Sequence, residues 1–357
     1  MIKRIYDANF ASACFFRTSV QLPDRKAMLQ ITERCNLRCA HCFVNSGNIG
    51  DEMSLEAIRK TVIPQFIKSR VIKVTLTGGE PLVHKDAMDV ILSFLSNGIG
   101  VSVCTNGILI KPTLIDTLCK YDNVHFNVSL DGFRAESHGR FRGGLSCSAF
   151  SDLIRNIRLL GERGLLNGIL TTPNKYATLN EYEDLCRFAK DSGAKYLLMN
   201  PLSPFGRGTK TQPLAYSEAD MTALRARTLP IATDGFEIVY IRFPNTDRLP
   251  IGACSMGMVP YIFCNGDVAI CPYMVFASQS DTNHYQPDDF LLGNIFNDFD
   301  LALAVDQYHL PSSAWSDAPK GADCSGCQRG CYAIKISNDQ PLASCDNDLC
   351  PKAGELI

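Results

Sequence analysis

The chain has 357 residues, room for two domains or one large barrel with an appendage at ~150 residues per domain, and 46% of it is hydrophobic, as in a globular protein with a true core. Its 35 Lys and Arg against 37 Asp and Glu leave a net charge of −2, which argues against a general binder of nucleic acid or other polyanions. No apolar run reaches the ~18 residues of a membrane helix, and the amino end, Met1 to Asp7, turns polar too soon for a secretory signal, so the 16 cysteines belong to a cytoplasmic chain.

Those thiols admit three readings. Disulfides suit small secreted domains, zinc takes four ligands often paired as Cys-x2-Cys, and iron–sulfur clusters accept a wider range of spacings. The predicted elements narrow the choice.

Residues 1–25 form an N-terminal extension. From 26 to 245 short β-rich runs alternate with helical patterns. Strands are predicted at Met28–Thr32, Val71–Thr77, Val101–Thr105, Val124–Leu130, Gly168–Thr172 and Tyr196–Asn200. The first helix opens at the N-cap residue Ser54, with Glu56 in its first turn and an apolar stripe of Leu55, Ile58, Val62 and Phe66. Further helices read as Ala87–Ser96, Thr113–Tyr121, Ala149–Arg163, Glu181–Ser192 and Ser217–Arg227, with Gly98, Gly164 and Gly193 placed as left-handed C-caps. Six strand–helix units predict an α/β fold with parallel strands and right-handed crossovers, whose function gathers at the carboxyl ends of the strands. After Pro244 the texture changes. Residues 246–357 are rich in Gly and Pro and carry eight cysteines: Cys254, Cys264, Cys271, Cys324, Cys327, Cys331, Cys345 and Cys350. So loop-rich a segment is expected to have a poor apolar core and to need inorganic staples.

Directly after the first strand stand Cys35, Cys39 and Cys42 with His41, in the spacing Cys-x3-Cys-x2-Cys and with no fourth cysteine nearby. Three thiolates on a cubane leave one iron for a small molecule, whereas a zinc site would need a distant fourth ligand. At the next strand end come Gly78, Gly79 and Glu80, two residues that let a ligand approach the backbone and a carboxylate that can hold an ammonium.

With this pairing the sequence resembles the radical S-adenosylmethionine (SAM) superfamily, and residues 26–245 resemble its partial (β/α)6 barrel. The resemblance implies that Cys35, Cys39 and Cys42 ligate a [4Fe–4S] cluster that binds SAM and cleaves it to a 5′-deoxyadenosyl radical. It also implies that Gly78, Gly79 and Glu80 hold the methionine amino group and that His41 stands where an aromatic residue meets the adenine. Asn106 and Ser129 fall at strand ends that resemble those of the family, and Ser129 and Arg142 resemble positions that contact SAM's polar groups; all three are implied to bind cofactor. A low-potential donor such as flavodoxin or ferredoxin is implied as well.

The tail resembles the SPASM domain, which carries auxiliary [4Fe–4S] clusters in radical SAM enzymes that modify peptides. That resemblance divides the eight thiols into Cys254, Cys264, Cys271 and Cys331 on one cluster and Cys324, Cys327, Cys345 and Cys350 on another. The usual central spacing is short by one cysteine, so one or two auxiliary clusters are compatible with it. The other five, Cys14, Cys104, Cys119, Cys147 and Cys186, read as core or incidental thiols. Anaerobic sulfatase maturases place an acid directly after the Gly-x4-Cys cysteine; here that position is Pro272. Tyr273, Asp267 and His284 are the nearest groups able to move a proton.

The expected activity is radical oxidation of a ribosomal peptide by crosslink, thioether or dehydrogenation. The alternatives are oxidation or epimerisation of a small metabolite such as a sugar or aminocyclitol, and a non-catalytic iron–sulfur or zinc scaffold. About 25 residues before the first strand are too few for a winged-helix leader-binding domain, so a separate leader-binding protein or the barrel mouth would present the peptide.

Overall fold

The computed structural model describes residues 9–16, 18–279, 283–311 and 326–351. Among these residues ten strands form one sheet: β1 Arg25–Thr32, β2 Val71–Gly78, β3 Gly100–Thr105, β4 Val124–Ser129, β5 Leu166–Thr171, β6 Tyr196–Met199, β7 Glu237–Tyr240, β8 Tyr261–Ile262, β9 Asp267–Ala269 and β10 Leu291–Asn294. Their order is β10-β9-β8-β1-β2-β3-β4-β5-β6-β7. β1 to β7 are parallel throughout, the arrangement that helical crossovers impose. All six predicted strands are present. The seventh, β7, is an addition, and it leaves the parallel set open between β7 and β1.

The helices also follow the sequence. Ser54 caps the first by accepting from the amide of Ala57 at 3.1 Å. This helical segment runs through Leu55–Ala57, a wide π turn at Ile58–Val62, and Ile63–Lys68. Pro64 has no N–H to offer the Lys60 carbonyl, which accounts for the widened turn. Thr178 and Glu181 form a capping box at Leu179–Asp191. Gly98, Gly164 and Gly193 have φ of +75°, +71° and +79°, the left-handed conformation expected of them.

Alternation along the strands sorts the core. Ala27, Leu29, Ile31, Val74, Leu76, Val101, Val103, Phe126 and Val128 face the helices in one large cluster. The tail, expected to be poor in apolar contacts, has a core of its own. Tyr261, Ile270, Met274, Tyr285, Phe290 and Ile336 pack with Met28 of β1, Val239 of β7 and Phe15 of the N-terminal extension. β8 is hydrogen-bonded to β1 in parallel, Met28 opposite Tyr261, so the sheet runs across the expected boundary near residue 245.

Candidate cluster and cofactor site

The loop bearing Cys35, Cys39 and Cys42 leaves the carboxyl end of β1 and is gripped by backbone from three directions. The amides of Gly79 and Glu80 donate to the carbonyls of Thr32 (2.8 Å) and Arg34 (2.9 Å). A Cβ on Gly79 would stand 2.2 Å from the Arg34 carbonyl oxygen, so only glycine permits this approach. Behind the loop, the Ala40 amide donates to the Phe141 carbonyl at 2.9 Å. Arg207, from the segment after β6, donates through Nε to the Cys39 carbonyl (2.8 Å) and through its own amide to that of Cys42 (3.0 Å). Gly206, at φ +54°, and Gly143, at φ +88°, meet the carbonyl oxygens of Cys42 and Arg38, each of which would lie 2.5 Å from an added Cβ.

Beneath the loop the charged groups are buried and paired. Glu80 accepts from Thr105 Oγ1 (2.6 Å), the Asn106 amide (2.7 Å) and the Leu82 amide (3.1 Å). Of the roughly four acceptor positions on a carboxylate, about one is left for a ligand ammonium. Burial pushes the Glu80 carboxyl up, against the pull of those donors and of Arg142. Asn106 joins this site to the loop by donating to Asn36 at 2.8 Å.

Arg142 donates to Asp131 Oδ2 at 2.5 Å and to the Cys39 sulfur at 3.8 Å. It therefore brings a fixed positive charge to one thiol of the loop. Burial raises the Cys39 thiol while Arg142 pulls it back, and burial raises Cys35 to about 11. Asp131 also accepts from the Thr172 amide at 2.8 Å. Its carboxyl is lowered: burial opposes the shift, and Arg142 and the neighbouring His41 and His138 overcome it. His41, placed by sequence against an adenine, stacks on Phe141 with ring centroids 4.4 Å apart and planes within 5°. Ser129 ends β4, half-buried.

His138 accepts from the Asp131 amide through Nδ1 at 3.1 Å, and burial holds its pKa down to about 3. The unfolded chain binds a proton at this residue below about 6.5, whereas the folded chain does so only near 3. Its contribution to stability is therefore present above pH 6.5 and lost as pH falls toward 3, by about 1.4 kcal/mol per pH unit. Urea unfolding between about pH 5.5 and 4, below the unfolded pKa and above the folded one, should show this slope, reduced in His138→Gln.

In the tail, every cysteine among the described residues is free of disulfide. Cys254, Cys271 and Cys331 line one cavity with Met256, Val259, Ile270 and Tyr273, and Cys14 lines it with them. The thiols of Cys14 and Cys331 lie within hydrogen-bonding reach of Cys254 and hold it well below the ordinary thiol range. Cys264 departs from the expected set. Two residues on from Ile262 it shares that residue's face, packs into the helix-facing core, and points its sulfur at the Ile31 carbonyl 3.9 Å away. Of the other expected set, Cys324 lies outside the described residues. Cys327 and Cys350 pack on one small cluster, Ala13, Ile251 and Leu349, and Cys345 directly precedes the buried Asp346.

Of the three proton-transfer candidates, Tyr273 alone is brought to the cysteines. It is buried against Phe15 (4.7 Å), Phe16 (4.9 Å), Phe43 (4.9 Å) and Phe205 (5.2 Å), between Cys42 and the tail cavity, and burial raises its phenol. Asp267 is taken up within its hairpin by Asn265 and Asn294, and His284 pairs with Asp339 at the surface. Sequence reasoning missed Cys14, Asp131 and Tyr261. The Tyr261 hydroxyl is buried with no partner among the described residues, within electrostatic reach of Tyr273 and Cys42. Tyr261 faces Met28 across the strand pair, and that face was hidden while β8 went unpredicted.

Among the described residues no three His, Cys, Asp or Glu side chains converge on a single-ion position. A cubane spreads its thiolates over separate irons and needs a wider set than one ion does. An open loop of three thiols beside Arg142, and a thiol-lined apolar cavity, both fit that group.

Residues 29–189 match the sequence profile of the Radical SAM superfamily. The mycofactocin maturase MftC of Mycobacterium tuberculosis is 27% identical over 88% of this chain and 79% of its own length. The subtilosin biosynthesis protein AlbA of Bacillus subtilis is 27% identical over 88% and 68%. A probable GTP 3′,8-cyclase of Methanosarcina mazei is 32% identical over 60% and 68%. Among solved structures, Streptococcus suis SuiB bound to its precursor peptide SuiA superposes with a TM-score of 0.69 at 19% identity, over 92% of this chain and 76% of that one. No helix among the described residues is long and apolar enough to cross a membrane.

Proposed function

The chain belongs to the radical SAM superfamily, and from that premise we propose that it oxidatively modifies a ribosomally made peptide in the cytoplasm. The observation that carries the reading is the three-thiol loop held between Gly79, Arg142 and Arg207 above the buried carboxylate of Glu80. When bound, the family's [4Fe–4S] cluster and SAM supply a 5′-deoxyadenosyl radical able to take hydrogen from an unreactive C–H bond.

The chain's own residues divide the remaining work. Cys35, Cys39 and Cys42 would hold the cluster, Arg142 stabilises charge on Cys39, and the remaining acceptor position of Glu80 suits an ammonium. Tyr273 and its ring of phenylalanines wall the space between the loop and the tail cavity, which keeps water from the reacting centre. Tyr273 is also the group best placed to move a proton there. Residues 26–245 would form the catalytic barrel and 246–357 the auxiliary-cluster unit, with electrons supplied by a flavodoxin- or ferredoxin-like donor.

A peptide substrate is supported by the names of the relatives: AlbA serves bacteriocin biosynthesis, and SuiB was solved with a precursor peptide. A separate leader-binding protein or the barrel mouth itself would present it. The test is anaerobic reconstitution with SAM, dithionite and a short peptide encoded beside this protein. The expected result is 5′-deoxyadenosine together with a peptide lighter by two hydrogen atoms. In Cys327→Ala, deoxyadenosine should persist while the modified peptide disappears. Deoxyadenosine that rises with a sugar or aminocyclitol but never with peptide would overturn the peptide reading.

A further inference from the structure

We propose that Cys14 completes a four-thiolate set with Cys254, Cys271 and Cys331, so that an auxiliary iron–sulfur cluster fastens the segment ahead of the barrel to the tail. The proposal rests on the radical SAM reading and changes the ligand set that the resemblance to the SPASM domain implies.

The four cysteines come from four separate segments and line a single cavity whose other walls include Phe15, Phe16, Val259 and Ile270. Cys14 and Cys331 are 5% and 4% exposed. Cys264, the alternative fourth ligand, is held in the opposite core and bonded toward Ile31. Converging thiols in an apolar pocket, with no disulfide among them, are costly to bury as thiolates unless a metal centre compensates their charge.

The chain holds Cys14 in place by its own backbone. Ala11 forms a parallel bridge with Ile251, its amide donating to Pro250 at 2.8 Å and its carbonyl accepting from Gly252 at 3.0 Å. Arg242 donates through its amide to the Ser12 carbonyl (2.8 Å) and through Nη1 to that of Ala13 (3.3 Å). The Cys14 thiol then donates to the Ala253 carbonyl at 3.1 Å. The adjacent Phe15 and Phe16 reach Tyr273, so the same strap that supplies the ligand also walls the space beside Cys42. Four protein thiolates leave no open iron, which suits this centre to carrying electrons and excludes direct ligation of substrate.

The test uses the full chain with Cys35, Cys39 and Cys42 all replaced by alanine, so that only auxiliary iron is read. Cys14→Gly and Cys264→Ala are compared with this parent in thiol-free buffer, by iron and sulfide content and by electron paramagnetic resonance after mild oxidation. Cys14→Gly should lose about one iron per chain, as a site short of one thiolate does, and develop the signal of a three-iron cluster. The parent and Cys264→Ala should do neither. Added 2-mercaptoethanol should suppress the signal in Cys14→Gly by supplying the missing thiolate, which separates a lost ligand from a misfolded chain. Limited proteolysis should cut ahead of residue 25 faster in Cys14→Gly than in the parent. Equal iron and equal spectra for Cys14→Gly and the parent would overturn the proposal, as would loss of iron from Cys264→Ala instead. A parent that binds neither iron nor sulfide would overturn the auxiliary-cluster reading beneath it.

Discussion

Cys42→Ala should lower SAM cleavage by more than ~100-fold, beyond the 10–100-fold that loss of a supporting contact around a metal costs, while circular dichroism and the unfolding midpoint stay close to wild type. The two outcomes separate because the side chain and the backbone of this residue serve different ends. The thiol is one of three in the loop, and a cubane held by two thiolates loses its footing. The backbone carbonyl accepts from Arg207 at 3.0 Å and from Asn45 at 3.4 Å, and alanine keeps both bonds. The loop also stands outside the apolar face formed by Leu29, Ile31 and Leu76, so no core cavity opens. Counting 5′-deoxyadenosine against time in the reconstituted protein reads the first outcome. Cleavage at the wild-type rate would remove Cys42 from the ligand set.

Asp346→Ala should destabilise the tail by about 3–5 kcal/mol, the cost of breaking a buried ion pair from one side. Asp346 is fully buried and takes both terminal nitrogens of Arg242, at 2.5 and 2.9 Å, a paired, fork-like geometry that matches guanidinium to carboxylate. It also accepts from the Cys331 amide at 3.2 Å. Arg242 follows β7, so a single carboxylate joins the end of the parallel sheet, the Cys331 backbone and the strap carrying Cys14. Alanine would leave a guanidinium that is 5% exposed with the single, half-solvated carboxylate of Asp348 at 2.9 Å. Urea unfolding followed by near-ultraviolet circular dichroism should show the loss, and Asp346→Asn should recover part of it by keeping one acceptor. A change under about 1 kcal/mol in Asp346→Ala would mean that Asp348, with water, replaces the pair.

The parallel strands β1 to β6 were legible because each is a largely apolar run closed by Thr, Ser or Asn, and because their helices carry stripes at 3.6-residue spacing. What escaped was short or unpatterned. β8 offers only Tyr261–Ile262, too short for alternation to register, and β7 only the four residues Glu237–Tyr240. The helix Ala135–Phe141, which brings Arg142 to Cys39, reads AESHGRF and has no apolar stripe. The site divides along the same line. The three-thiol loop and Gly78–Glu80 are local in sequence, and each segment announces itself. The thiols of the tail cavity are not: Cys14 and Cys254 lie 240 residues apart, and only the docking of an extended segment beside Ile251 brings them together. Family resemblance, and no local spacing, assigns Cys264 to the set of Cys254 and Cys271. The period-two alternation of side chains sends it to the other face of the sheet.

The pairing of β8 with β1 has a consequence for solubility. β1 is eight residues long and buried along nearly all of its length, and without β8 its outer border would present unsatisfied amides and carbonyls to any other extended chain, the condition under which sheets from separate molecules stack and precipitate. The hairpin of β8 and β9, followed by β10, shields that border as a flap does a seam. The cysteine-bearing tail is in this sense a guard for the barrel as well as its neighbour, and a chain shortened before Tyr261 would leave β1 open to self-association even with every loop thiol in place.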